Sequence, residues 1–163
     1  MITNRPNRLR GGTYTGYQRY FLTTCTANRH PAFTEDGVAK DCTLQLQQSA
    51  ERHDFVNVAH CFMPDHLHIL VYGTALQADL PAFMNLFKKI TGFNYSQRFK
   101  RRLWQPGYYD RMLRDDESTE GVARCILENP VRAGLARQIG EYPYAGSDLH
   151  DLRAILTAWD KQV

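Results

Sequence analysis

Two histidines separated by a single residue, His66 and His68, carry the clearest chemical signal in the sequence. On a β-strand, residues i and i+2 point to the same face of the sheet, whereas the intervening Leu67 points to the other face. Both imidazoles would therefore converge, and two neighbouring neutral imidazoles can share one divalent cation. For a His-X-His pair taken alone, two half-exposed histidines on a sheet are the simpler interpretation, so the surrounding residues must be considered.

The residues on either side of the pair predict the strand that it needs. Residues 55–62 (FVNVAHCF) and 66–72 (HLHILVY) are apolar and rich in β-branched and aromatic side chains, as strands are. Residues 63–65, Met-Pro-Asp, form a tight connection, because proline fixes φ and aspartate can hydrogen-bond its own backbone. A link this short excludes a parallel crossover, so we expect an antiparallel hairpin.

The elements before and after this hairpin complete an α+β pattern. We expect strands over residues 17–26 and 108–113 and a helix over 38–53. A second helix is capped by Asp79, and its apolar face fades near Gly92. A third helix opens with the acidic residues 115–117 and ends at Asn129 because of Pro130, and a short helix covers 149–159. This order predicts a ferredoxin-like antiparallel sheet with helices packed on it.

Length and composition predict one globular domain over residues 1–163. Hydrophobic residues make up 43% of the chain, which is typical of a globular protein. No apolar run has the length of a membrane span, and the basic N-terminus lacks the apolar segment of a signal peptide, so we expect a cytoplasmic protein without a membrane partner. The four cysteines show no CxxC spacing, which indicates reduced thiols. Residues 1–13 are expected to form a flexible basic arm and residues 145–163 a helical tail.

Basic residues cluster although the net charge is only +3. Clusters of this kind suit a polyanion, and single-strand binders combine them with aromatic side chains, although a solvated face is the commoner meaning of a charge run. Trp104 is the aromatic candidate, with packing in the core as the alternative. The candidate DNA-binding residues are Arg5, Arg8, Arg10, Lys88, Lys89, Arg98, Lys100, Arg101, Arg102 and Trp104.

Several blocks resemble one family. Residues 61–71, CFMPDHLHILV, are similar to the signature of the IS200-like, single-domain HUH transposases, in which a strand ending in Met-Pro leads into His-hydrophobe-His. Residues 104–111 (WQPGYYDR) and 129–135 (NPVRAGL) resemble blocks of the REP-associated branch of that family. The resemblance extends from residue 20 to about residue 144, and it implies the HUH nuclease fold.

The resemblance also implies an activity on DNA. Members of the family cut single-stranded DNA beside hairpins through a tyrosine nucleophile, which leaves a 5′-phosphotyrosine and a free 3′-OH. Mg²⁺ or Mn²⁺ polarises the scissile phosphate, and such hard cations need oxygen ligands beside the two imidazoles. The family takes the third ligand four residues after the tyrosine, which matches Asn129; turn geometry at a helix end is the alternative role. The branch also implies a monomer, with a dimer as the alternative.

The position of the family's tyrosine is occupied by Cys125. Three interpretations are open. Cys125 is a buried structural thiol in a protein that binds DNA without cutting it, or Cys125 is itself the nucleophile. In the third, Tyr108 or Tyr109 is the nucleophile and Cys125 takes no part in the reaction. On a strand, only one of these two tyrosines can face the metal. The leading hypothesis is therefore a transposase-like protein that recognises palindromic hairpin DNA and cleaves it if a nucleophile is present. A cleavage-deficient DNA-binding derivative is the second hypothesis, and a metal-dependent RNA phosphodiesterase that uses water is the third.

Overall fold

The computed structural model describes residues 13–149. In that range, the chain forms a five-stranded antiparallel sheet in the order β4-β1-β3-β2-β5, together with three α-helices. The strands are β1 (Arg19–Cys25), β2 (Phe55–Met63), β3 (His66–Gly73), β4 (Tyr109–Met112) and β5 (Ala145–Gly146), and the helices are α1 (Val38–Arg52), α2 (Leu80–Phe99) and α3 (Thr119–Arg132). The predicted α+β, ferredoxin-like architecture is confirmed; the short strand β5 was not predicted.

The sheet separates two layers of helices. Alternate residues of the central strands, among them Leu22, Leu67 and Ile69, are buried in one apolar cluster with α1 and α2. Their neighbours on the other face, including Leu70, are buried in a second cluster with α3. This period-2 alternation is what places the two histidines on the face of the sheet that α3 covers.

Helix α2 extends beyond its expected end. Asp79 caps it as predicted, since its side chain accepts a hydrogen bond of 2.9 Å from the backbone N–H of Ala82. The helix continues past Gly92 to Phe99, because Tyr95 in its last turns is buried and donates a hydrogen bond of 2.7 Å to Glu35. Tertiary packing therefore outweighs the loss of apolar periodicity.

Helix α3 also differs from the expectation. It begins after the cap Ser118 rather than in the acidic residues 115–117, and it continues to Arg132 with Pro130 inside. Proline removes one backbone donor, and here it does so within the last turn, where few further helical bonds depend on it. Pro130 is itself buried, so its ring contributes to the packing that keeps this turn helical.

No helix within residues 13–149 is long and apolar enough to cross a membrane. The predicted basic arm with Arg5, Arg8 and Arg10 and nearly all of the predicted helix over 149–159 lie outside the described residues.

Candidate functional site

The two histidines lie side by side at the start of β3. His66 pairs with Cys25 and His68 pairs with Thr23 on the adjacent strand β1. The centroids of the two imidazole rings are 4.7 Å apart, and the rings are nearly perpendicular to one another. The structure therefore shows the convergence that the spacing predicts, on the face of the sheet that α3 covers.

A hydrogen bond fixes one nitrogen of each ring. Nδ1 of His68 lies 2.8 Å from Oγ1 of Thr23, and Nδ1 of His66 lies 2.7 Å from Oδ1 of Asp65. The guanidinium of Arg29 in turn donates a hydrogen bond of 2.9 Å to Asp65. In the tautomer with hydrogen on Nδ1, both Nε2 lone pairs are available to a ligand, which is how metal-binding histidines are commonly oriented.

The environment of His68 favours its neutral form. Burial, the neighbouring His66 and the guanidinium groups of Arg132 and Arg29 lower the pKa of His68 to about 4. At neutral pH its imidazole is therefore uncharged, which is the state that ligates a cation. Within residues 13–149, no three His, Cys, Asp or Glu side chains are grouped so that they could hold a metal ion. A cation at the pair would need oxygen ligands from an amide, from water or from a phosphate.

A pocket of about 290 Å³ adjoins His68 between the sheet and α3. The helix lines it with a stripe at i, i+3, i+4 and i+7: Val122, Cys125, Ile126 and Asn129. His68 and Phe21 line it from the sheet, and their rings stack with centroids 5.5 Å apart. Asn129, the candidate third ligand, thus lines the same pocket as one of the two imidazoles.

Cys125 is exposed. The interpretation of Cys125 as a buried structural thiol is therefore wrong. Of the stripe on α3 that lines the pocket, Ile126 is the buried member, and Cys125, one position earlier, borders the open space. Consecutive residues on a helix point about 100° apart, so the sequence does not determine which of Cys125 and Ile126 lies nearer the sheet.

The two candidate tyrosines face opposite sides of the sheet. Tyr109 pairs with Thr23, which pairs with His68, so all three side chains share one face. Two strand spacings separate Tyr109 from His68, or about 10 Å between Cα atoms. Tyr108 packs against the cluster on the other face. Tyr109, 43% exposed, is the tyrosine on the side of the histidine pair.

Comparison with known proteins identifies the family. The family described as "Transposase IS200 like" matches residues 16–128, more than half of the chain. The chain belongs to the IS200-like transposase family. It is 26% identical over 137 residues to a Haemophilus influenzae protein named as a REP-associated tyrosine transposase, covering 77% of each sequence.

Two solved structures are similar to this IS200-like chain. One is a REP-associated tyrosine transposase bound to a REP hairpin, with a TM-score of 0.67 and 17% identity over 86% of this chain and 82% of that one. The other is a Deinococcus radiodurans protein assigned as a transposase, with a TM-score of 0.51 and 27% identity over 76% of this chain and 97% of that one. At 17% identity the first likeness shows a shared fold.

Most of the candidate DNA-binding residues of the IS200-like domain line one groove. This groove, of about 960 Å³, runs along α2 and residues 100–108. Its lining includes Lys88, Lys89, Lys100, Arg101, Arg102 and Trp104, whereas Arg98 is not among the lining residues and donates a hydrogen bond of 2.6 Å to the carbonyl of Asp36. Arg101 forms an ion pair with Glu35, so its charge is partly compensated within the protein.

Trp104 has the alternative role that the sequence analysis allowed. Its side chain is 5% exposed, and its indole N–H donates a hydrogen bond of 2.9 Å to Thr91. It packs in the core between Phe33 and Phe87, with ring centroids 5.5 and 5.8 Å away. Trp104 therefore supports the groove from inside rather than offering a free face to a base.

The groove adjoins strand β1, which pairs with the strand that carries the two histidines. Lys88 donates hydrogen bonds to the carbonyls of Gln105, at 3.1 Å, and Gly107. The N–H of Gln105 donates to the carbonyl of Cys25, at 3.0 Å, and Cys25 pairs with His66. The groove and the histidine pair therefore both adjoin the C-terminal end of β1.

Four residues that the sequence did not single out also contribute to the site: Thr23, Asp65, Arg111 and Arg132. Asp65 precedes the pair directly and could have been found as an orienting partner by its position. Thr23 emerges only from the pairing of β1 with β3. Arg111, which forms a 2.5 Å ion pair with Glu117, and Arg132 line the pocket beside His68. Nothing in their local sequence distinguishes them from solvated arginines.

Proposed function

We propose that this IS200-like protein binds single-stranded and hairpin DNA of repetitive extragenic palindromes, with one backbone phosphate held at the histidine pair. The observation that carries this proposal is the pair of imidazoles, each with Nδ1 tied by a hydrogen bond and Nε2 left for a ligand. The Haemophilus relative carries the REP-associated name, and the REP hairpin bound in the similar structure supports the choice of DNA.

The donor set of the site fits a hard divalent cation. We infer that His66, His68 and Asn129 would hold Mg²⁺ or Mn²⁺, with phosphate and water completing the shell. Such an ion, when bound, neutralises phosphate charge and orients the phosphodiester. The chain itself adds the guanidinium groups of Arg29 and Arg132, both close enough to lower the pKa of His68. The groove along α2 supplies further phosphate contacts, which makes affinity depend on salt.

The cysteine at position 125 favours a protein that binds DNA without forming a covalent bond to it. The family's tyrosine position holds a thiol, and a thiolate is an unusual nucleophile toward a DNA phosphodiester. A monomeric, cleavage-deficient DNA-binding derivative of the family is therefore our main proposal.

Cleavage by Tyr109 is the second candidate, and the sheet register favours it. Tyr109 lies in the cross-strand row of Thr23 and His68. Its phenol would release its proton to solvent, and the phenolate oxygen would attack the phosphorus, so that an O–P bond forms to tyrosine while the bond from phosphorus to the 3′ oxygen breaks. That oxygen takes up a proton and leaves as the 3′-OH, and the 5′-phosphate remains on tyrosine.

The experiment is a titration of labelled hairpin DNA that carries single-stranded flanks, with Mn²⁺ or with a chelator. We expect tight binding that weakens strongly when the chelator replaces Mn²⁺ or when His66 and His68 are both replaced by alanine. His53→Ala, at the end of α1, is the matched histidine control and should leave the affinity unchanged. Equal affinity in all these conditions would refute the role of the pair.

A denaturing gel of the same reactions separates the candidates for cleavage. Intact DNA in every lane supports the main proposal. A covalent adduct that Tyr109→Phe abolishes and Tyr108→Phe preserves supports the second, whereas loss in Cys125→Ser assigns the thiol. Cleavage without an adduct, retained in all three variants, would instead support a phosphodiesterase that uses water.

A further inference from the structure

The pocket beside His68 is larger than the proposed phosphate site requires. Its volume is about 290 Å³, whereas a single water or ion needs only about 30 Å³. Typical small-molecule sites occupy roughly 300–1,000 Å³, so this pocket has the size for one small organic group but not for a duplex. The short side chain of Cys125 on α3 leaves this space open to solvent.

The lining suits a flat heterocycle. Val122 and Ile126 of α3 and Phe21 of β1 provide apolar walls. The amide NH2 group of Asn129 can donate a hydrogen bond to an acceptor on the edge of a nucleobase while the amide oxygen ligates the cation. The guanidinium group of Arg132 also lines the pocket; it pairs with Glu128 but is about half exposed, so its open side can contact a phosphate at the entrance.

The position of the pocket links it to the bound strand. His68 belongs both to the pair and to the pocket wall, so a nucleotide with its phosphate at the pair has its base within reach of the pocket. We propose that the pocket receives one unstacked nucleobase of the single strand, from a nucleotide adjacent to the phosphate at the histidine pair. This inference rests on the proposed DNA binding and adds a specificity determinant to it.

An unpaired base would be the preferred occupant. Moving a base out of a duplex costs a few kcal/mol, and the cost is smallest when the base is already single-stranded. The pocket would therefore make the protein favour DNA in which the nucleotide beside the bound phosphate lies outside the hairpin stem. Burial of one base against apolar and aromatic walls changes affinity by about tenfold or more.

The test uses hairpin oligonucleotides in which each single-stranded position in turn is made abasic. We expect one position at which loss of the base weakens binding by about tenfold, while the other positions change little. Cys125→Phe, which fills the pocket, should weaken binding of intact DNA by a similar factor and remove the sensitivity to the abasic site. Leu44→Phe, which adds the same ring at an exposed position on α1 outside the pocket, should behave as the parent protein does.

Alkylation of the wild-type thiol provides a readout that needs no variant. Iodoacetamide should modify Cys125 in the free protein, and intact DNA should protect it more than the oligonucleotide that is abasic at the sensitive position. Cys42 and Cys61 are internal controls, because both are buried and burial raises the pKa of each thiol. Mass spectrometry of the peptides assigns the modified residue.

Two results would overturn the inference in distinguishable ways. If every abasic oligonucleotide binds as tightly as intact DNA and Cys125 stays reactive in the saturated complex, the pocket holds no base, although the DNA-binding proposal stands. If no oligonucleotide binds at all, the proposed function fails and the inference fails with it.

Discussion

Replacing Thr23 by valine tests whether the sheet orients the metal-binding pair. Valine has nearly the shape of threonine but removes the hydroxyl that lies 2.8 Å from Nδ1 of His68. Loss of such an orienting partner typically lowers metal affinity by about 10–100-fold. Phe21, stacked on His68 with centroids 5.5 Å apart, still restrains the ring, so we expect the lower end, about tenfold or 1.4 kcal/mol.

The assay is isothermal titration of Mn²⁺ into the protein, alone and in its complex with hairpin DNA. Both titrations should show the weakening, because the hydroxyl acts on the imidazole and not on the DNA. His68→Ala defines the baseline at which the pair no longer binds. The free energy of unfolding, measured in parallel by thermal denaturation, should change by about 1 kcal/mol or less, since the lost hydrogen bond is only partly buried.

Thr24→Val is the matched control on the same strand. Thr24 is buried on the opposite face, and its hydroxyl has no hydrogen-bond partner among residues 13–149. Removing an unpaired buried hydroxyl should leave Mn²⁺ affinity unchanged and should leave stability equal or slightly higher. Unaltered affinity in Thr23→Val, or an equal loss in both variants, would refute the orienting role of Thr23.

Three further predictions concern stability and charge. Burial lowers the pKa of His60 to about 4, so the free energy of unfolding decreases as pH falls below about 6.5, by about 2 kcal/mol at pH 5. Urea unfolding of His60→Gln should show a weaker loss of stability at acid pH. Gly73→Ala would place Cβ against the carbonyl of Gly16 and should destabilise the protein by about 1–3 kcal/mol. In Gly92→Ala the nearest atom to the new Cβ is 3.7 Å away, so this variant should stabilise α2 by about 0.5–1 kcal/mol. Thermal unfolding of the two variants should show these opposite signs. Burial lowers the pKa of Lys88 to about 8, so DNA affinity measured by anisotropy should fall between pH 7 and 9 more steeply than in Lys88→Arg; identical pH profiles would exclude this amine from the DNA contact.

Local sequence signals predicted most of the fold. The hairpin of β2 and β3, the cap of α2 by Asp79 and the overall order of elements all depend on residues close together in the chain. The predicted ends of α2 and α3 were wrong, because burial of Tyr95 and Pro130 extends these helices beyond the ends that their local sequence indicates. Burial against another element cannot be obtained from the spacing of residues along one helix.

The site was predictable only in part for the same reason. The histidine pair follows from strand geometry and needs no partner strand. The choice of Tyr109 over Tyr108 depends on the register of β4 against β1, and the exposure of Cys125 depends on how α3 is rotated over the sheet.

The sequence by itself determined which groups are present and which of them share a strand or a helix, because a period of 2 or 3.6 residues is a property of the local backbone. Only the tertiary structure decided which partner orients each imidazole, that the residue at position 125 opens a pocket instead of filling the core, and that Trp104 supports the groove from within. These outcomes depend on distances between segments far apart in the chain, and such distances are set by packing the whole domain.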